Sequence, residues 1–341
     1  MRSRIEKMWY GRKAPVWLAP LSTLYGFVMA LRSVLYRMGL RHRIKVGVPV
    51  VVVGNLTVGG TGKTPLVAWL STHLSAVGMR VGIVSRGYGG RARGVTRVTL
   101  HSRASEVGDE PLLLARRAQA TVFIGRDRVA AARAAVADGA DIVLCDDGLQ
   151  HLALSRNCEI VVIDGQRGFG NGCQLPRGPL RESPRRLRRV NAVVVNGALT
   201  APDFQLPRFL SRTAFTMHMR PGDARPVAGA GALRSLASFR GSGVHAVAAI
   251  GNPQRFFDML RAAGLTIYEH PMPDHHAFKS GDLNFGDSLP VLMTEKDAVK
   301  CAAFADPRCW YVPVTAEFAE REARELVDLV IARVNEARRH G

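Results

Sequence analysis

The chain has 341 residues, an apolar share of 47% and a mean hydropathy of +0.02, enough for two folded domains with real cores and against a disordered or fibrous chain. A formal net charge of +19 points to an anionic partner: nucleic acid, a membrane surface or a phosphorylated substrate. The five cysteines form no C-x-x-C pair, which argues against a zinc finger or a disulfide framework and fits a reducing compartment.

Residues 14–31, "APVWLAPLSTLYGFVMAL", carry no charge, and Arg32, Arg37, Arg41, Arg43 and Lys45 follow. The segment has no small-residue cleavage site, so it does not read as a secretory signal. Pro15 and Pro20 break its start, and a helix over 20–38 mixes Leu21, Leu24, Tyr25, Val28, Leu31 and Leu35 with Ser, Arg and Gly. This pattern predicts an interfacial helix, aromatics at the headgroup boundary and arginines on anionic lipid. A helix docked on the protein's own core fits the segment nearly as well.

The run "VGNLTVGGTGKTPLVAWL", residues 53–70, passes from a β-branched strand through a glycine-rich turn into a helix. That is the setting of a P-loop. Thr57, Val58, Gly59, Gly60, Thr61, Gly62, Lys63 and Thr64 form the expected phosphate cradle. The glycines let backbone N–H groups point inward, Lys63 reaches the outer phosphates, and the Thr64 hydroxyl suits Mg²⁺. Thr57 stands where the strict pattern has its first glycine, so the loop is a variant.

Further strands are expected at 81–85, 121–124, 141–145, 159–163 and 192–195, with helices at 111–117 and 128–137. Alternation of this kind predicts an α/β fold: a P-loop NTPase core with a parallel sheet and helices on both faces. Residues 218–242, rich in Gly and Pro, read as a hinge. After it the pattern restarts with a strand at "VHAVAAIG", a helix at 254–263, strands near Val291 and Trp310, and a closing helix over 316–337. The expected organisation is therefore 1–45 as N-terminal helix and basic segment, 46–217 as kinase-like core, 218–242 as hinge and 243–341 as a smaller α/β domain.

Four stretches carry candidate chemistry. "ADIVLCDDGLQH" ends a strand in Asp146 and Asp147, an arrangement that suits Mg²⁺ coordination downstream of a P-loop. "VGDEPLLLARR" places Asp109 and Glu110 at a helix start, where acids cap helices; a kinase also needs a carboxylate to orient or deprotonate an alcohol, and spacing leaves both readings open. "MPDHHAF" holds Asp274, His275 and His276, and one of these imidazoles can reach Asp109 if the domains close. The run from Arg167 through Arg177, Arg181, Arg185, Arg186, Arg188 and Arg189 reads as a solvated basic face from which one or two guanidinium groups touch phosphate.

The motifs "LYGFVMALR", "VVGNLTVGGTGKTPLV", "SRGYGG", "GDEPLLLARR", "DDGLQH", "VVIDGQRGFGNG", "LPRGPLRE", "PDHHAF" and "TEKDAVKC", in this order, closely resemble the tetraacyldisaccharide 4′-kinases of lipid A biosynthesis. The resemblance implies transfer of the γ-phosphoryl group of ATP to the 4′-hydroxyl of an acylated disaccharide 1-phosphate. It also implies Mg²⁺ as cofactor and attachment of the N-terminal helix to the cytoplasmic face of the inner membrane; the protein is expected to be a monomer. By motif, Asp109 resembles the base and His275 its partner, with Glu110 and Asp147 beside the reacting groups. Thr64, Asp146 and Glu182 resemble the metal shell, and Arg128 and Arg181 the phosphate-binding arginines. Arg177 departs from the commoner alanine of that motif. Partition-type ATPases usually carry a lysine at the position of Val58, and no nucleic-acid motif is present, so neither a switching ATPase nor a nucleic-acid partner is expected.

Overall fold

The strand Val50–Gly54 is buried along its whole length, as the centre of a parallel sheet requires. In the computed structural model, which describes residues 4–11, 14–201, 204–229, 231–274 and 276–340, it lies in the middle of a nine-stranded sheet. The order from one edge is Val314–Glu317, Ala214–Pro221, Ala192–Asn196, Cys158–Asp164, Val50–Gly54, Ile142–Asp146, Val81–Ser85, Thr121–Ile124 and Thr96–Val98. The inner strands are parallel and the two edge strands antiparallel to their neighbours. Helices Lys63–Ala76, Asp109–Arg117 and Glu320–His340 seal one face and Arg128–Ala137 the other. The expected α/β core is present.

A second, five-stranded sheet runs Thr266–Pro271, Gly243–Ala248, Val291–Thr294, Cys309–Val312 and Arg225–Pro226. Phe256, Phe257 and Leu260 of helix Pro253–Ala262 fill one of its faces, and Ala298 and Cys301 of helix Glu295–Cys301 the other.

Two expected boundaries move. The stretch taken as a hinge, 218–242, is largely structured: Ala214–Pro221 continues into it, Arg225–Pro226 is already an edge of the second sheet, and Phe239 is buried there. The chain crosses between the sheets at Gly222 and returns at Pro313, where the Gly222 N–H donates to the Pro313 carbonyl at 2.9 Å. The segment after Pro313 rejoins the large sheet, so the second domain does not run to the end of the chain. Residues 316 and 317 are strand rather than helix. Helix Glu320–His340 turns Leu326, Val330 and Val334, an i, i+4, i+8 stripe, into the large core. An amphipathic stripe declares that a helix packs, but not on which sheet.

At the other end, helix Ala19–Arg37 follows one 3₁₀ turn, Val16–Leu18. Its inner side is tied down: Ser22 Oγ donates to the Gln174 carbonyl at 2.8 Å and the Tyr25 hydroxyl to the Arg181 carbonyl at 3.1 Å. Its outer side exposes Leu21, Leu24, Phe27, Val28 and Leu31, Phe27 to 64%.

Leu326→Ala removes a fully buried side chain and should cost about 2–5 kcal/mol. Hydrogen exchange should then accelerate in Val50–Gly54 and Cys158–Asp164 while Gly243–Ala248 keeps its protection. Selective loss of protection in Gly243–Ala248 would return the helix to the second domain.

Candidate active site

The parallel register sets Val53 beside Asp146 and Asp164 beside Asn196, so four strands end along one edge of the large sheet with polar residues at or just past their tips. From this edge the loop of residues 55–64 curls back, with Gly59 at φ 108° and Gly62 at φ 96°, a region open to glycine. Two buried asparagines brace it: Asn55 Nδ2 donates to the Gly59 carbonyl at 3.2 Å and Asn196 Nδ2 to the Thr61 carbonyl at 2.9 Å. A Cβ on Gly62 would stand 2.4 Å from Asn196 Nδ2, so the loop can hold this shape only with glycine there. Lys63 and Thr64 open the following helix. Thr57 and Val58 sit apart from the cradle: Thr57 bridges to Leu180, and the Val58 N–H donates to the Pro179 carbonyl at 2.8 Å, so that amide is not offered to a phosphate.

The two aspartates at the end of strand Ile142–Asp146 behave differently. Asp147, at φ 51°, faces Lys63 at 3.6 Å and Arg181 at 3.0 Å. Burial works against its charge, but these two cations outweigh it and hold the carboxyl down at about 2. Asp146 is buried, and its Oδ1 has no hydrogen-bond partner among the described residues. Burial first, and the nearby Glu110 charge second, push it up to about 7 despite Lys63. Buried Arg128 donates to the Gly125 carbonyl at 2.5 Å, while its Nε and Nη2 find no partner among the described residues. His151, pushed down to about 4 by burial and then by Arg128, Arg86 and Arg32, stays neutral beside them. Glu182 stands farther back, accepting from Gln150 Nε2 at 2.8 Å and facing Arg186 at 3.4 Å.

Asp109 and Glu110 open helix Asp109–Arg117, whose N-cap is Gly108. Asp109 Oδ1 accepts from the Glu110 N–H at 2.9 Å, a local helix-start contact. Its other oxygen faces Lys300 at 3.6 Å and Lys296 at 4.0 Å, both from helix Glu295–Cys301 of the second domain. Lys296 also meets Glu110 at 2.9 Å and Asp274 at 3.6 Å. Residue 275 lies outside the described residues, so its side chain is not placed; His276 turns to Asp282 at 3.0 Å within its own domain.

The second domain therefore closes over the P-loop, and sequence reasoning missed most of what does this. The Gly251 backbone lies against Gly60, where a Cβ on Gly251 would come within 2.3 Å of the Gly60 nitrogen. Arg167 Nη1 donates to the Gly251 carbonyl at 2.6 Å. Asp164 accepts from Asn252 at 3.3 Å and from Arg255 at 3.1 Å. Buried Asp297 accepts from the Ala249 N–H at 2.9 Å and the Thr294 hydroxyl at 2.6 Å, fixing the glycine loop and the lysine helix together. Between the domains lies a cleft of about 200 Å³ lined by Lys63, Glu110, Asn196, Met219, Phe256 and Met259. The i, i+4 spacing of Lys296 and Lys300 was legible as one helix face, yet nothing in it named an acid 186 positions away.

A raised pKa on a buried acid makes a stability prediction. The contribution is fully present below the unfolded carboxylate value of about 3.9 and is lost as pH rises through about 7. Asp146→Asn, which carries no titrating group, should melt at progressively higher temperature relative to wild type as pH rises from about 4 to about 7, with the difference levelling off above that. A difference that is flat or falls with pH would refute the burial of this charge.

The tetraacyldisaccharide-1-P 4′-kinase family description matches residues 14–332. The chain is 50% identical over 338 residues to the tetraacyldisaccharide 4′-kinase of Alkalilimnicola ehrlichii, covering 98% of each chain. To that of Methylobacillus flagellatus it is 45% identical over 333 residues, covering 97% of this chain and 95% of the relative. A crystal structure of LpxK from Aquifex aeolicus in complex with ATP superposes with a TM-score of 0.77 at 27% identity, over 93% of this chain and 98% of that one. The chain belongs to the tetraacyldisaccharide-1-P 4′-kinase family.

Proposed function

We propose that this protein is an ATP-dependent lipid kinase that phosphorylates the 4′-hydroxyl of a tetraacyl glucosamine disaccharide 1-phosphate in lipid A biosynthesis. The observation that carries the reading is that the Lys63 cradle and Glu110 line one interdomain cleft, closed by Lys296 of the second domain, which also faces the neighbouring Asp109 at 4.0 Å. The inward loop amides and Lys63 hold the phosphates of ATP, and Arg181 and Arg128 add charge around the transferring group. Asp109 takes the proton of the 4′-hydroxyl as its oxygen bonds to the γ-phosphorus and the bond to the β,γ-bridging oxygen breaks, releasing ADP. Lys296 and Lys300 supply that carboxylate with counter-charge. Glu110 and Asp147 flank the reacting groups, and His275, which follows the Lys296-bound Asp274, is the proposed partner of Asp109.

Mg²⁺ fits this donor set. Among the described residues no cluster of three His, Cys, Asp or Glu holds a metal unaided. The unpartnered Asp146 oxygen and the Thr64 hydroxyl nevertheless suit an ion that phosphate oxygens complete. Glu182, already held by Gln150 and Arg186, would serve from farther out. The bound ion would neutralise phosphate charge.

The exposed apolar side of helix Ala19–Arg37 supports peripheral or monotopic attachment to the cytoplasmic face of the inner membrane, where an anionic leaflet meets the basic protein. By length and composition alone the segment Val16–Arg37 is also long enough to span.

Transfer of label from γ-labelled ATP to the lipid disaccharide 1-phosphate in detergent micelles tests the activity. Lys63→Ala and Asp109→Ala should each lower kcat by at least about a hundredfold, roughly 2.7 kcal/mol of barrier, with native circular dichroism. Asp109→Ala should leave the KM for ATP nearly unchanged. Release of phosphate at a rate indifferent to lipid would favour a switching ATPase.

Removal of residues 1–38 should abolish vesicle binding and weaken use of the lipid acceptor. An insoluble, unfolded truncation would make the helix part of the core.

A further inference from the structure

Where helix Ala19–Arg37 ends against the body of the protein, a cavity of about 420 Å³ opens, lined by five arginines and one glutamate. Its floor is electrically settled. Arg156 donates to the carbonyls of Leu154 and Leu149 at 3.1 Å each and to Glu159 at 3.2 Å, and Arg186 pairs with Glu159 and Glu182. The other three, Arg37, Arg43 and Arg189, have no ion-pair partner among the described residues. Three guanidinium groups around one small cavity repel one another unless an anion joins them.

Position selects the anion. Ser33 and Arg37 line the cavity and lie on the side of the helix away from the exposed stripe of Leu21, Leu24, Phe27, Val28 and Leu31. A helix with side chains is about 10 Å across. With the stripe in the acyl region, the cavity is therefore raised by about one helix diameter, into the headgroup layer. Its volume falls within the roughly 300–1,000 Å³ of small-ligand sites, and forked guanidinium groups match phosphate oxygens.

We propose that Arg37, Arg43 and Arg189 form a binding site for the phosphodiester headgroup of an anionic membrane phospholipid. The site rests on the membrane attachment proposed above and adds lipid selectivity to it: the apolar stripe supplies attachment, and the cavity supplies a preference for phosphate-bearing anionic lipid. It is separate from the phosphate cradle, since none of these three arginines lines the interdomain cleft.

Vesicle sedimentation with phosphatidylcholine alone and with added phosphatidylglycerol tests it. The wild-type protein should bind the mixed vesicles more tightly. R37Q/R43Q/R189Q should lose on the order of ten- to a hundredfold of that gain, with binding to phosphatidylcholine and kinase activity in neutral micelles unchanged. R93Q/R212Q/R339Q, which loses the same charge from exposed arginines outside the cavity, should lose only severalfold. Equal losses in both triple variants would overturn the site in favour of long-range attraction alone. A raised KM for the lipid acceptor in neutral micelles, with vesicle binding intact, would overturn it in favour of the substrate's own phosphate. Failure of the wild-type protein to bind either vesicle would overturn both the site and the membrane attachment, whereas binding to both with no preference would overturn the site alone.

Discussion

The candidate site depends on a cluster of opposite charges shared by two sheets. Asp109 and Glu110 come from the large sheet's helix, Asp274, Lys296 and Lys300 from the second domain, and every partner lies within 4.0 Å of a lysine nitrogen. Lys296 and Asp109 are mostly removed from water, so either alone would carry a heavy desolvation cost. The contact makes domain closure and charge compensation one event. Burial works against the Lys296 charge, but Glu110, Asp109 and Asp274 outweigh it and raise its pKa, so the ammonium persists through the neutral range. Closure of the cleft thereby brings counter-charge to the Asp109 and Glu110 carboxylates.

Backbone shape allows that approach. Gly60 and Gly251 face each other across the domains with no room for a Cβ on Gly251, and Asp164 holds Asn252 and Arg255 beside them. The cradle is thus one wall from the P-loop and one from the 249–252 loop. Because Gly222 and Pro313 pair where the chain crosses out and back, the two domains meet on a double strand rather than a single tether. This geometry favours closure along one path over free tumbling of the second domain.

Local patterns made much of this legible before any coordinates. Dense β-branched runs gave the central strands, because a parallel strand buried on both faces must be apolar throughout. Lys63, Thr64, Asp146 and Asp109 were visible because each sits at a strand or helix end within a contiguous motif. What was not legible arises from contacts far apart in sequence. The Gly- and Pro-rich stretch 218–242 has a linker's composition, yet Arg225–Pro226 finds an edge to pair with. The closing helix has an apolar stripe that either sheet could bury, and Lys296 acquires its role only from the acid that domain closure brings to it. Val58 looked like part of the cradle by position, but its N–H is already committed to Pro179.

The same long-range logic joins the N-terminal helix to the chemistry. The Tyr25 hydroxyl holds the Arg181 carbonyl at 3.1 Å, the Arg181 guanidinium holds Asp147 at 3.0 Å, and Asp147 holds Lys63 at 3.6 Å. Three contacts thus link a helix with an exposed apolar side to the lysine of the P-loop. On the proposed function, with an acceptor whose acyl chains stay in lipid while its hydroxyl reaches a fixed carboxylate, rigid positioning of this kind matters, because misplacement by about 1 Å can cost about a hundredfold in rate. On the membrane reading, the helix sets the height of the cleft above the bilayer, and the contacts through Arg181 carry that height to the phosphate. An amphipathic anchor on a flexible tether would bring the protein to its substrate equally well, but it would leave this distance unset.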